Sequence, residues 1–160
     1  MYKKTLVLFK PDTVERHLIG KCITFFEEAG LKIHAIKMIH ATNEQVAEHY
    51  AEHQDKDFFP SLVEFLQSCP IVALVIGGYQ SISKVRKICG ATEPAKAELA
   101  SIRGRWAHVT YQDSGSNTMQ NLVHASANDE DAKREIAIWF KPEELLEYHS
   151  HDDSCFNFNA

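Results

Sequence analysis

An imidazole titrates near neutrality, so at working pH much of it carries a free lone pair and can act as a nucleophile. His124 is placed to do so, closing the short run Asn121-Leu122-Val123-His124-Ala125-Ser126. An acidic helix expected to begin near Asn128 carries Glu135 back toward it. Glu135 flanks the stripe Ala132, Ile136 and Trp139, which leaves its carboxylate half in water. That carboxylate admits two readings: a structural salt bridge, or a group that accepts the Nδ1 proton of His124 or otherwise fixes its ring. Four further residues suit a phosphate: Lys10, Arg86, Thr92 and Arg103. Phosphoryl transfer needs positioning and charge neutralisation more than covalent work, and guanidinium groups grip phosphate oxygens through paired donors. The chain has no GxxxxGK[ST] and no GxGxxG, so a phosphate site here is built from side chains.

Each residue also has a bland reading. Lys10 could only cap a strand end, and Arg86 could only cover the core beside Ile82, Val85 and Cys89. Arg103 could be a loop cation and Thr92 a turn former. Ser126, three residues before Asp129, could open a capping box or hydrogen-bond a transferring phosphate. Phe58, one helical turn from Leu62, could be a helix staple or a shallow clamp for a flat base, whose stacking tolerates any base.

The elements that must position these groups follow from periodicity. Thr5 to Phe9 lacks polar alternation and predicts a central strand, which Pro11 stops. Leu18, Ile19, Cys22, Ile23 and Phe26 predict a helix closed by Gly30. Leu31 to Ala41 predicts a strand, and Thr42-Asn43-Glu44-Gln45 a capping box opening a helix through Tyr50. Phe59, Leu62, Val63 and Leu66 mark a further helix. Ile71 to Ile76 predicts a buried strand ended by Gly77-Gly78, followed by a helix that Gly90 terminates. Asn121 to His124 is the last strand, and the last long helix runs through Trp139-Phe140. The order β-α-β-α-α-β-α-β-α predicts an α/β (α+β) sandwich of ferredoxin-like type: a four-stranded antiparallel sheet covered by helices, expected on one face. Residues 91–120 show little periodicity and predict a long loop over the site with some unplaced structure inside, including a solvated turn at 113–117.

A chain of 160 residues is one domain with a single core, here 1–148 followed by a tail 149–160. A net charge of −5 argues against broad nucleic-acid binding, so no specific nucleic acid is predicted. No signal peptide or membrane-length apolar stretch is evident, and the 4 cysteines are widely spaced without CxxC, with Cys22 and Cys89 on apolar helix faces. A reducing cytoplasm is the expected compartment. The tail His149-Ser150-His151-Asp152-Asp153-Ser154-Cys155 offers metal-ligand types at a spacing that matches no tight cage.

With these residues in view, the chain resembles the nucleoside diphosphate kinases from about Thr5 to Tyr148. The similarity is carried by Lys10-Pro11-Asp12, His49-Tyr50, Phe58-Phe59, Arg86 with Gly90-Ala91-Thr92-Glu93-Pro94, Ile102-Arg103-Gly104, Asn121 to Ser126, Trp139-Phe140 and Pro142-Glu143-Glu144-Leu145. The resemblance implies that His124 takes the γ-phosphate of a nucleoside triphosphate and passes it to a different nucleoside diphosphate, one site serving both in a ping-pong scheme. It implies Lys10 and Asn121 at the ribose hydroxyl and nearby phosphate, and Tyr50, Arg86, Thr92 and Arg103 around the phosphates. Phe58 and Leu62 would pack on the base, Ser126 would assist transfer and Glu135 would orient a pros-phosphohistidine. It further implies Mg²⁺ held by the nucleotide phosphates rather than by protein ligands, and a homo-oligomer, with a hexamer favoured over a tetramer. Three departures stand out: Ala127 where an Asp is usual, Lys56-Asp57 where Arg-Pro is usual, and a lengthened stretch from Arg103 to Asn121 that makes Thr110 the occupant of the base's second face. The competing expectation is a nucleotide-binding or scaffold protein of the same fold with weakened catalysis.

Overall fold

The structure, a computed structural model, describes residues 1–113 and 118–150; most of the solvated turn expected at 113–117 and the tail beyond Ser150 lie outside them. Strand β1 (Tyr2–Phe9) leads through Lys10 into a short helix α1 (Pro11–Glu15) and then α2 (Ile19–Glu28). Pro11 does end the strand, yet it also opens a helix, because a missing N–H costs nothing at the first helical position. Gly30, at φ 72°, closes α2, with its N–H on Glu27 O and the Leu31 N–H on Phe26 O. Strand β2 (Lys32–Ile39) follows, then α3 (Asn43–His49), which Thr42 and Gln45 cap reciprocally as the sequence predicts. Helix α4 (Phe59–Gln67) leads to β3 (Ile71–Tyr79), and α5 (Ser81–Cys89) to the region of weak periodicity.

The predicted strand end at Gly77-Gly78 is too early: β3 runs on to Tyr79. Glycine is there for close approach, since a Cβ on Gly77 would lie 2.5 Å from His34 Nε2 and 2.7 Å from the Tyr2 hydroxyl. The long loop contains a 3₁₀ turn (Pro94–Lys96) and the helix α6 (Ile102–Trp106), both too short to show a period. Strand β4 (Val123–Ala125) and helix α7 (Asp129–Trp139) complete the domain, with Asn128 rather than Ser126 capping α7.

The sheet order is β2-β3-β1-β4, antiparallel throughout, which is the ferredoxin-like arrangement. Helices cover both faces, not one. Val7 and Phe9 pack with Phe26, Leu74, Val85 and Ile102, whereas Leu6 and Leu8 pack with Val46, Leu62, Leu66 and Trp139. Alternate residues of a strand point to opposite faces, so a central strand with two apolar sides demands this double cover. Cys22 and Cys89 are buried thiols, desolvated until their pKa values stand near 12 and 11 respectively. No helix among the described residues is long and apolar enough to cross a membrane.

Candidate active site

His124 sits in β4 opposite Leu8 of β1, at the edge of the sheet. The turn delivering it is gripped from the start of the domain. Leu122 is buried and adopts φ 70°, a conformation that costs a side-chain-bearing residue about 1–3 kcal/mol. Three groups following β1 hold it there. Asp12 Oδ2 accepts the Leu122 N–H at 2.9 Å, while the Lys10 N–H and the Thr13 hydroxyl donate to Leu122 O at 2.8 and 2.5 Å. The Lys10-Pro11-Asp12 stretch therefore aims the histidine as well as supplying a cation.

The His124 ring turns Nε2 toward Glu135, 3.0 Å from Oε2. Of the two ways the sequence offered for Glu135 to hold the ring, acceptance of the Nδ1 proton is not the one found: the carboxylate meets Nε2, and Nδ1 is on the other side of the ring. Ser126, fully buried, donates its hydroxyl to the same Glu135 oxygen at 2.6 Å and accepts the Leu6 N–H at 3.2 Å. It belongs to the support of the histidine, not to the pocket wall. Burial alone would raise the Glu135 pKa, but the hydrogen bond and charge of His124, the Ser126 hydroxyl and the Arg134 charge outweigh it, leaving Glu135 below the usual range.

A cavity of about 360 Å³ opens in front of this ring. Lys10, Tyr50, Arg86, Thr92, Arg103, Asn121, His124 and Glu135 all line it, so eight of the residues named from sequence converge. Lys10 Nζ donates to Asn121 Oδ1 at 2.8 Å, and Asn121 Nδ2 donates to Thr92 O at 2.8 Å. Desolvation, partly opposed by Asp12 and assisted by Arg103, lowers the Lys10 pKa to about 8. Arg103 is 7% exposed and donates to Asn121 O at 3.1 Å, Gly90 O at 2.5 Å and Val123 O at 2.7 Å. Its guanidinium thereby ties α6 to the end of α5 and to the 121–123 stretch. Arg86, in contrast, is exposed on the wall, with no side-chain hydrogen bond or ion pair among the described residues. Tyr50 ends α3 with its ring centroid 6.1 Å from that of His124, and burial together with the Glu135 charge raises its phenol pKa.

Phe58, Leu62 and Thr110 do not line the cavity. Leu62 is 7% exposed and belongs to the core under α4, where an apolar stripe places it. Phe58 is half-buried, one ring removed from the wall, with its centroid 5.6 Å from that of His53, which does line it. Thr110 turns its hydroxyl to Asp113 Oδ2 at 2.5 Å. Sequence reasoning quoted His49 only as part of the His49-Tyr50 motif, without a role, and missed Arg134. His49 is buried, its ring centroid 4.4 Å from that of His124. Arg134 donates to Glu48 O at 3.1 Å and His49 O at 3.4 Å, docking α7 on the end of α3. The i, i+3 spacing of Val46 and His49 puts that histidine on the apolar face of α3, the one available signal.

A ferredoxin-like sandwich with an aimed histidine facing three converging cations and a threonine is the framework of a phosphate-handling protein. The nucleoside diphosphate kinase family profile matches residues 3–145. A nucleoside diphosphate kinase of Methanobrevibacter smithii is 41% identical over 153 residues, 96% of this chain and 97% of its own length. A Borrelia burgdorferi nucleoside-diphosphate kinase, solved as a transition-state mimic with vanadate and ADP, superposes with a TM-score of 0.89 at 40% identity, covering 96% of this chain and 95% of that one. The Halobacterium salinarum enzyme in complex with CDP gives 0.87 at 35% identity, covering 99% of this chain and 100% of that one. The chain belongs to the nucleoside diphosphate kinase family.

Proposed function

We propose that this nucleoside diphosphate kinase moves the γ-phosphate of a nucleoside triphosphate to a nucleoside diphosphate through a phosphohistidine on Nδ1 of His124. The observation that carries this is the ring orientation: Glu135 occupies Nε2, so Nδ1 is the nitrogen left with a lone pair. As Nδ1 attacks phosphorus, positive charge grows on the ring, and the Nε2–H bond to an ionised carboxylate becomes stronger. The bond from phosphorus to the bridging oxygen breaks, and the diphosphate leaves with that electron pair. In the second half the terminal oxygen of a different diphosphate attacks the phosphohistidine, and His124 recovers its lone pair.

Arg86, Thr92 and Arg103 take the phosphates and Lys10 with Asn121 the sugar hydroxyl and neighbouring phosphate, while Tyr50 closes the side next to His124. Phe58 reaches a base only through a shift toward the wall, and Leu62, Thr110 and Ser126 act from behind or beside the site. Mg²⁺ would be held by the nucleotide's phosphate and water oxygens, which suit a hard cation better than the His49–His124–Glu135 set of two nitrogens and a carboxylate, and would there neutralise phosphate charge.

The functional unit is residues 1–148, in a homo-oligomer for which the family resemblance favours a hexamer. Ile36 and Met38, 50% and 54% exposed on the edge strand β2, are the apolar surface such an assembly would cover. The free thiols of Cys22, Cys69 and Cys89 suit the cytoplasm. Incubation with γ-labelled ATP and Mg²⁺, followed by an added diphosphate, tests the reaction: the label should join His124 and then leave with the diphosphate. Transfer without a labelled enzyme would refute the two-step scheme.

A further inference from the structure

One buried group beside the histidine has no task in the scheme above. His49 is 4% exposed, and its Nε2 has no hydrogen-bond partner among the described residues. Its other nitrogen, Nδ1, lies 3.1 Å from Trp139 Nε1. An indole nitrogen can only donate, so Nδ1 must present a lone pair and the proton of a neutral His49 must sit on Nε2. Neutrality follows from its surroundings: burial, then the neighbouring His124, Arg134 and Lys10, hold the ring well below the usual histidine range. Trp139 therefore locks a single tautomer, with an unsatisfied N–H inside the site.

An acceptor close to that N–H is the second oxygen of the Glu135 carboxylate. His49 Nε2 lies 4.0 Å from Glu135 Oε1, whereas Oε2 already receives His124 and Ser126. Arg134, the other donor nearby, is 3.9 Å from Oε1 and spends its closer bonds on the end of α3. A buried N–H left without an acceptor forfeits its water partner for nothing, so a short closure between His49 and Glu135 is favourable.

We propose that His49 is a positioning residue for phosphoryl transfer: its Nε2–H closes onto Glu135 Oε1 as His124 becomes charged, fixing the carboxylate so that Oε2 stays on His124 Nε2. This rests on the phosphohistidine reading. A neutral donor suits the task, because it orients the carboxylate without adding to the positive charge that Arg134 already brings to 3.9 Å from Oε1. A cation in the same place would oppose that ring at a centroid distance of 4.4 Å. The sequence Trp139 to His49 to Glu135 to His124 is thus a relay of orientation from α7 and α3 to β4.

The test is rapid-quench labelling of the full chain with γ-labelled ATP and Mg²⁺, with kcat and KM measured alongside. His49→Phe should slow labelling of His124 by about 10- to 100-fold with KM changed less than about twofold. His49→Gln, whose amide can both accept from Trp139 and donate to Glu135, should recover most of the rate. Trp139→Phe releases the tautomer and should fall between the two. Should the phenylalanine variant fail to fold, the glutamine and Trp139→Phe pair decides alone. Folded variants labelled as fast as the parent, or a loss confined to KM, would overturn the proposal. An unlabelled parent would instead refute the phosphohistidine itself. Long-range ¹⁵N–¹H spectra of the parent should find the His49 proton on Nε2, and a proton on Nδ1 would contradict the lock.

Discussion

The inner and outer halves of the pocket are built on different rules. Around His124 the polar groups are tied to one another: Glu135 holds the ring, Ser126 holds Glu135, and Asp12 and Thr13 hold the turn, with His49 Nε2 and Asp12 Oδ1 left over. Farther out, Arg86 stands in solvent, Phe58 is short of the wall and Thr110 is turned to Asp113. The chemistry is the same for every nucleotide and is organised in advance; the base differs from one to the next and meets few fixed groups. Stacking without fixed hydrogen bonds accepts any base, so a loose outer half fits a broad substrate range.

That contrast can be broken by mutation. Inner substitutions should act on the chemical step, outer ones on KM. His124→Ala should abolish the phosphoenzyme altogether, checked by labelling with γ-labelled ATP. Arg103→Ala should lower kcat by about 10²–10³-fold, the usual cost of one transition-state donor. It should also lower stability by at least about 2 kcal/mol in urea unfolding, because the buried carbonyl of Asn121 and those of Gly90 and Val123 lose their charged donor. Glu135→Ala should leave slow but measurable transfer, about 10- to 100-fold down, as expected for a group acting through another. At the outer edge, Phe58→Ala should change kcat by less than about threefold and act chiefly through KM.

Lys10 offers a pH handle on the same boundary. Its ammonium is charged below about pH 8 and neutral above, because burial favours the uncharged form. A phosphate contact that needs the charge is therefore lost as pH rises through about 8, and kcat/KM, which reports the free enzyme, should fall on the alkaline side. Bound phosphates favour the ammonium, so the same limb in kcat should lie at higher pH. Lys10→Arg should remove the alkaline limb, and its persistence would assign that titration elsewhere.

Much of this arrangement was legible in the residues. The strands, the cap at Thr42 and the convergence of Lys10, Arg86, Arg103, Asn121 and Glu135 on His124 all leave local or motif signals. What stayed hidden depends on distant contacts. Asp12 is only part of a motif after the first strand until Leu122, 110 positions away, brings its N–H to the carboxylate. His49 looks like a helix-end histidine until Trp139 fixes its proton. Ser126 carries the spacing of a cap, yet the cap is Asn128, because β4 draws Ser126 inward to Leu6 and Glu135. Glu135 does lie against the His124 ring, but no spacing tells which ring nitrogen it meets. Short elements such as α1 and α6, 5 residues each, carry too few positions for a period.

The most direct measurement is the chemical position of the phosphate on the trapped enzyme. Phosphorus–nitrogen NMR of the ¹⁵N-labelled chain after brief exposure to ATP and Mg²⁺ should couple phosphorus to Nδ1 of His124, with the proton retained on Nε2. Phosphorus on Nε2, on another side chain, or on none while turnover continues would contradict the geometry from which the mechanism was built.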